Sequence, residues 1–248
     1  MTYLYFHYSI DDVLVSLLEV TDNDIPLVQH PFFKDLRLLY DKYNLTTTLY
    51  AFGNSVIKGK LRHLSEVRSL KNENSEGWLK FSAHALNFYT PPYLRTLDQN
   101  LSDFQNIFQE LVRISGDNIS RSIRLHYYSE CYEMMPLFER YGVKELFTTD
   151  KPIVAYRLPE IDRTCLARNG THLVKGLQFT STHLRVEDFA NHDLTRSEIY
   201  ERFSNIMKAT DRLVLYSHEY EHTRDLVRKK LFESIEILSE NLGLESTW

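Results

Sequence analysis

The sequence predicts an α/β protein built on a mainly parallel sheet. Three observations carry that prediction. The hydrophobic period switches repeatedly between the strand and helix templates, seven strand-like runs alternate with helical stretches, and no Pro/Ser-rich linker divides the 248 residues into halves. One domain, 1–248, is therefore expected. With 43% hydrophobic and 25% charged residues, and only eight Gly and seven Pro, the chain is neither disordered, collagenous nor of low complexity.

The first strand is read at Tyr3 to Ile10, a run of aromatic and β-branched residues, and the second at Leu45 to Phe52, stopped by Gly53. Between them Pro31 takes a first-turn position, and Phe32, Phe33, Leu36, Leu39, Tyr40 and Tyr43 recur at helical spacing. The unit then repeats. Trp78 to His84 reads as strand, Leu94 to Ile114 as a long helix, Ser122 to Tyr127 as strand, and Cys131 to Tyr141 as a helix closed by Gly142. A short strand follows at Leu146 to Thr149. Pro152, Pro159, Asn169-Gly170 and Gly176 then punctuate short extended pieces, so residues 151–176 are expected as an inserted β-excursion with Asn169-Gly170 as its hairpin turn. The rhythm resumes with the strand Leu177 to His183, the helix Ser197 to Ala209, the strand Arg212 to His218 and a closing helix from Thr223 to Asn241, ended by Gly243. Periodicity does not say whether the sheet closes into a barrel.

Several function classes are excluded at this point. Lys plus Arg total 29 against 34 Asp plus Glu, and the longest basic run is Arg228, Lys229, Lys230, so no nucleic-acid partner is expected. No apolar stretch approaches the length that spans a bilayer, so membrane insertion is not expected either. Met1 to Ser9 is aromatic and runs straight into Asp11 and Asp12, which is no export signal; a cytoplasmic protein is expected, with Cys131 and Cys165 as reduced thiols. The sequons at Asn44, Asn100, Asn118 and Asn169 carry no weight without a secretory signal. No Gly-rich strand-to-helix turn is present to hold a nucleotide phosphate, which argues against a Rossmann enzyme.

In parallel α/β folds ligands bind at the carboxyl ends of the strands. Here those ends carry Asp11 and Asp12, His84, Arg124 with His126 and Tyr127, Asp150, His183 and Arg185, and His218 with Glu219. An Asp at a strand end also serves as a helix cap, and a lone strand histidine is commonly a hydrogen-bonded core residue. Convergence on one rim is what favours a site. Asp11 and Asp12 repel each other unless a cation sits with them or one is neutral, and a divalent ion resolves the conflict. His84 and a second histidine would complete an N/O ligand set suited to Zn²⁺, with Fe²⁺, Co²⁺ and Ni²⁺ as alternatives.

The order of these motifs resembles that of the polysaccharide deacetylases, the NodB-like carbohydrate esterases. The resemblance implies a distorted seven-stranded (β/α) barrel, with residues 151–176 as a β-hairpin insertion. Ser9-Ile10-Asp11-Asp12 is similar to the first motif and implies Asp11 as catalytic base and Asp12 as metal ligand. The second motif pairs two histidines four residues apart, whereas His84 is followed at that spacing by Phe88. Arg124-Leu125-His126-Tyr127 looks like the third motif with His in place of Pro. It implies that Arg124 holds the base. His126, two residues along one strand face from Arg124, would supply the missing imidazole. Failing that, the third ligand would be His218, Glu219 or Asp150. Leu215-Tyr216-Ser217-His218 is similar to the fifth motif and implies His218 as the general acid. The fourth motif has no convincing match, although Thr182-His183-Leu184-Arg185 lies in the right part of the chain.

The implied reaction is metal-dependent removal of an acetyl group from an N-acetylated sugar, with Zn²⁺ as the ion and Tyr127, Asn87, Arg185 and Glu219 contacting the carbohydrate. Tyr89, Tyr93, Tyr128 and Tyr220 offer further rings for stacking on a sugar. The short opening looks like that of the cytoplasmic members associated with surface-polysaccharide or O-antigen assembly. Two other readings stand beside this one: a metal-dependent hydrolase of a different amide or ester, and a degenerate barrel that binds a glycan or partner without turnover. Residues 151–176 are expected to be either a lid over the rim or a contact in a homo-oligomer.

Overall fold

A computed structural model describes residues 4–128, 132–149 and 158–248. Strand β1 (Tyr5–Val13) leads into helix α1 (Val15–Asp22) and helix α2 (Pro31–Tyr43), which returns the chain to β2 (Thr47–Phe52). A hairpin of β3 (Asn54–Ile57) and β4 (Lys60–His63) follows, then β5 (Leu79–Ala85) and the long helix α3 (Leu97–Ser115). Next come β6 (Ser122–Arg124), α4 (Met135–Arg140), β7 (Glu145–Phe147), α5 (Glu160–Asn169), and the hairpin of β8 (Thr171–Val174) and β9 (Leu177–Thr180). The chain ends with β10 (Leu184–Arg185), α6 (Val186–Asn191), α7 (Arg196–Met207), β11 (Arg212–His218), α8 (Asp225–Glu236) and β12 (Glu245–Thr247).

Apart from the separate β3–β4 hairpin, the strands form two mainly parallel sheets that together make a distorted barrel. One runs β10-β11-β1-β2-β5, with β12 paired to the start of β1; the other runs β6-β7-β9-β8, antiparallel only between β8 and β9. On one side the sheets meet at Phe81, whose N–H donates to the Asn118 carbonyl and whose carbonyl accepts from the Ser120 N–H. On the other side β9 runs within four residues into β10, and the His183 N–H donates to the Val214 carbonyl of β11. The α/β class and the order of the seven barrel strands match the sequence expectation.

The pleat divides the strands between two environments. Phe6, Tyr8, Ile10, Leu49, Leu213 and Leu215 join the large core under the helices, while Tyr50, Phe147 and Val214 form a small separate cluster inside the barrel. Around that cluster the interior is polar: His7, Ser9, Thr48, Ser82, Ser122, Arg124 and Thr180 are all buried. Helix α3 starts at Leu97 rather than Leu94 because Thr96 and Gln99 form a reciprocal capping box after Pro91-Pro92. Among the described residues, no helix is long and apolar enough to cross a membrane.

Several expected elements differ. The β-excursion at 151–176 contains α5, which takes up Cys165, and Gly170 (φ +71°) caps that helix instead of turning a hairpin. The hairpin turn lies at Lys175-Gly176, where both residues have positive φ, as a tight two-residue turn requires. The fourth strand stops at Arg124, and His126–Tyr128 form a short 3₁₀ turn with Tyr127 and Tyr128 in the left-handed region. The helix expected from Cys131 begins at Met135, with Cys131 itself outside the described residues. The closing helix ends at Glu236 and loosens into a π-turn over Ile237–Asn241.

Candidate metal centre

A cavity of ≈ 510 Å³ opens at the carboxyl ends of the strands, lined by Asp11 and Asp12 of β1, His84 of β5, His126 and Tyr127 after β6, Arg185 of β10 and His218 of β11. The two acids stand at its floor because β1 carries a bulge there. Ile10 pairs with Leu49 and Val13 with Ala51, so Asp11 and Asp12 together face the single residue Tyr50. Asp12 absorbs the extra residue with φ +64°, a left-handed conformation that turns its side chain away from that of Asp11.

Three acceptor atoms converge there. Asp12 Oδ1 lies 3.2 Å from His84 Nε2 and 3.4 Å from His126 Nδ1, and the two nitrogens are 3.2 Å apart. The opposite nitrogens settle the tautomers: His84 Nδ1 lies 2.7 Å from the Arg124 carbonyl and His126 Nε2 lies 3.1 Å from the Phe88 carbonyl. Each of these nitrogens donates, which leaves a lone pair on the nitrogen facing Asp12. Asp12 Oδ1 is buried and receives no hydrogen bond among the described residues.

Three buried lone pairs facing one another repel unless a cation lies among them. For tetrahedral Zn²⁺ with bonds of 2.0–2.1 Å, ligand atoms stand about 3.3 Å apart, which is the spacing found. The carbonyl partners of His84 and His126 are the outer-shell hydrogen bonds that fix metal-binding histidines. The group Asp12, His84 and His126 thus fits a divalent ion on donor type, spacing and tautomer.

Asp11 faces a different neighbour. Its Oδ1 accepts from Arg124 Nη1 at 3.0 Å, and the same Nη1 donates to Ser9 Oγ at 2.8 Å. Arg124 is fully buried, with its guanidinium 4.3 Å from the Tyr216 ring centroid and 5.4 Å from those of Tyr50 and Phe147. On the neighbouring strand, His218 pairs with Asp11 in the β1–β11 register, and its Nδ1 lies 2.5 Å from Glu187 Oε1. Burial lowers the proton affinity of His218, but the Glu187 carboxylate and the two aspartates outweigh it and raise its pKa. His218 is therefore an imidazole held ready to carry a proton.

The structure separates the remaining expected residues. Tyr127 and Arg185 line the cavity, with Tyr127 half exposed. Asn87 does not: its Oδ1 accepts from the Tyr89 and Thr90 amides and the Thr90 hydroxyl, and its Nδ2 donates to Asn54, so the side chain is used up in bracing a turn. Glu219 points away as well. It is buried, and its carboxylate accepts from the backbone N–H groups of Leu14, Val15 and Ser16 at 3.1, 3.0 and 2.7 Å. His183 also leaves the rim, since its Nδ1 accepts from the Val214 amide. Asp150 lies outside the described residues. His126 reaches the group from the turn after β6 and not from a shared strand face. Sequence reasoning missed Glu187 and assigned no role to Ser9 or Thr182, the last of which accepts from Arg124 Nη2.

No family model matches the chain, and no curated protein does. Solved structures do. A family 4 carbohydrate esterase from Streptomyces lividans, in complex with acetate, superposes with a TM-score of 0.57 at 11% identity, covering 100% of this chain and 94% of that one. This chain shares the fold of that esterase. A peptidoglycan N-acetylglucosamine deacetylase gives a TM-score of 0.51 at 12% identity over 99% of this chain and 86% of the other. A 4-α-glucanotransferase from Thermococcus litoralis gives 0.56 at 9% identity, covering 100% of this chain but 39% of that enzyme. Neighbours of differing activity on one fold leave the chemistry to be argued from the site.

Proposed function

We propose that the protein is a metal-dependent hydrolase that removes an acetyl group from an N-acetylated sugar. The observation that carries this reading is the triangle of acceptor atoms on Asp12, His84 and His126, set beside a carboxylate held by a buried arginine and an imidazole held by a buried acid. The carbohydrate esterase and deacetylase likenesses support it at the level of fold. Zn²⁺ is the ion this N₂O donor set suits best.

A divalent ion held by Asp12, His84 and His126 would polarise the acyl carbonyl and make water easier to deprotonate at neutral pH. Asp11, charged and held in place by Arg124, takes the proton of the attacking water. His218 lines the same cavity and delivers a proton to the departing amine, with Glu187 fixing its ring through Nδ1. Arg185 and the ring of Tyr127 contact the sugar from the wall, and Tyr220, stacked on His218 at 5.3 Å between centroids, forms the opposite lip. Water attack on the amide carbon breaks the C–N bond and yields acetate and a free amino sugar.

The reading extends to a cytoplasmic step in surface-polysaccharide or O-antigen assembly, which fractionation and the acetylation state of the surface polysaccharide test. For the reaction itself, zinc-loaded protein is incubated with N-acetylated oligosaccharides and acetate is assayed against free amine. Equal amounts of both are expected, and Asp11→Asn should keep the metal and lose turnover. Metal-loaded protein that releases acetate from no N-acetylated sugar contradicts the assignment.

A further inference from the structure

We infer that Glu219 is a positioning residue that holds Asp12 and His218 in one geometry; the inference rests on the metal-centre reading above. Asp12 sits in a bulge with a left-handed φ, a conformation that persists only where the flanking chain is fixed. On its N-terminal side the chain is fixed by the ladder, which pairs Asp11 with His218 in the last register of β1 with β11. On its C-terminal side β1 keeps a ladder to β2, Val13 with Ala51, but the β1–β11 register has ended, and on that side Glu219 holds the chain. Its carboxylate gathers the N–H groups of Leu14, Val15 and Ser16, the second to fourth residues after Asp12, at 3.1, 3.0 and 2.7 Å. No side chain of the neighbouring sequence does this, for the residue before α1, Leu14, makes no side-chain cap. The helix start thus waits on an acid some 200 residues away in sequence.

Glu219 is also the residue directly after His218. One carboxylate therefore ties the segment that carries the oxygen ligand to the segment that carries the His218 imidazole. A negative group at a helix N-terminus is favourable, which accounts for a buried carboxylate with backbone amides as its partners. The carboxylate makes no contact with substrate in this arrangement, and its effect on chemistry passes through Asp12 and His218.

The test is zinc affinity, measured by chelator competition, for the wild type, Glu219→Gln and Glu219→Asp, alongside the melting temperature of each metal-free protein. The amide of Gln turns one donor toward the helix amides, and Asp is one carbon too short to reach all three. We expect zinc affinity to fall about 10- to 100-fold in Glu219→Gln, the range for an outer-shell partner, and by a smaller factor in Glu219→Asp. A purely structural role would lower the metal-free melting temperature and leave the affinity of the folded protein unchanged, which overturns the inference. Hydrogen exchange on the wild type gives a second readout that needs no variant. Coupling is reciprocal, so zinc should slow exchange of the Leu14, Val15 and Ser16 amides, and unchanged exchange in zinc-bound protein also overturns it. A wild type that binds no zinc overturns the metal-centre reading and this inference together, whereas equal zinc binding by wild type and Glu219→Gln overturns this inference alone.

Discussion

Asp11→Asn separates the charge of the site from its shape. The amide keeps an oxygen where Oδ1 accepts from Arg124 Nη1 at 3.0 Å, so the perturbation is the loss of one charge opposite a guanidinium with no solvent exposure. Removing one partner of a buried pair costs roughly 3–5 kcal/mol, because the other charge is left uncompensated. Here Ser9 and Thr182 still accept from Arg124 and three aromatic rings still face it, so the expected cost sits at the low end, about 3 kcal/mol. For a chain of this length that is a fall in melting temperature of about 6–12 °C. The assay is thermal unfolding of the metal-free protein in excess chelator, which removes any contribution from an ion at Asp12. The double variant Asp11→Asn/Arg124→Met should be more stable than Asp11→Asn alone, since it removes the stranded cation. A single variant as stable as the wild type, or a double variant whose cost is the sum of the two single costs, would refute the claim that Asp11 neutralises Arg124.

Other outcomes follow from the same contacts. Because Glu187 raises the folded pKa of His218 above its unfolded value near 6.5, that pair contributes its full stability below pH 6.5 and loses it as pH rises through the folded pKa. Glu187→Gln should therefore destabilise the metal-free protein at pH 6 more than at pH 9, and a pH-independent difference contradicts the pairing. His222 has the opposite sign: burial pushes its pKa down to about 3, so the stability of the neutral form is complete above pH 6.5 and is lost as pH falls toward 3, by about 5 kcal/mol in all. Denaturant titrations of His222→Gln from pH 7 to 4 should show a shallower acid loss than the wild type; parallel curves sink the idea. Asp12→Ala and His84→Ala should each abolish stoichiometric zinc binding while leaving the far-ultraviolet circular dichroism unchanged, as read by elemental analysis after gel filtration.

Where signals were local, the sequence was a good guide. The apolar-rich runs read at Tyr3–Ile10, Leu45–Phe52, Trp78–His84 and Arg212–His218 became β1, β2, β5 and β11, four consecutive neighbours in the barrel. Helix α1 was hidden because its N-terminal cap is supplied by Glu219, which no local window contains. Helix α5 was hidden for a different reason: only Leu166 of its ten residues is buried, so it carries no apolar period to detect. In the site, Asp12 and His84 were visible as polar ends of apolar strands. His126 reached the same point through a backbone turn that residue spacing did not reveal. Asn87 and Glu219 show the limit of arguing from a rim position, since both are spent on backbone amides. Glu187 gave no sequence signal at all, because its meaning is its distance to His218.

The measurement that bears most directly on the metal centre is anomalous diffraction at the zinc edge from crystals grown with zinc. The account predicts one peak at about 2.0–2.2 Å from Asp12 Oδ1, His84 Nε2 and His126 Nδ1 together. A zinc-saturated crystal with no peak within bonding distance of these three atoms, and with Asp12 Oδ1 still facing both imidazoles, would contradict it.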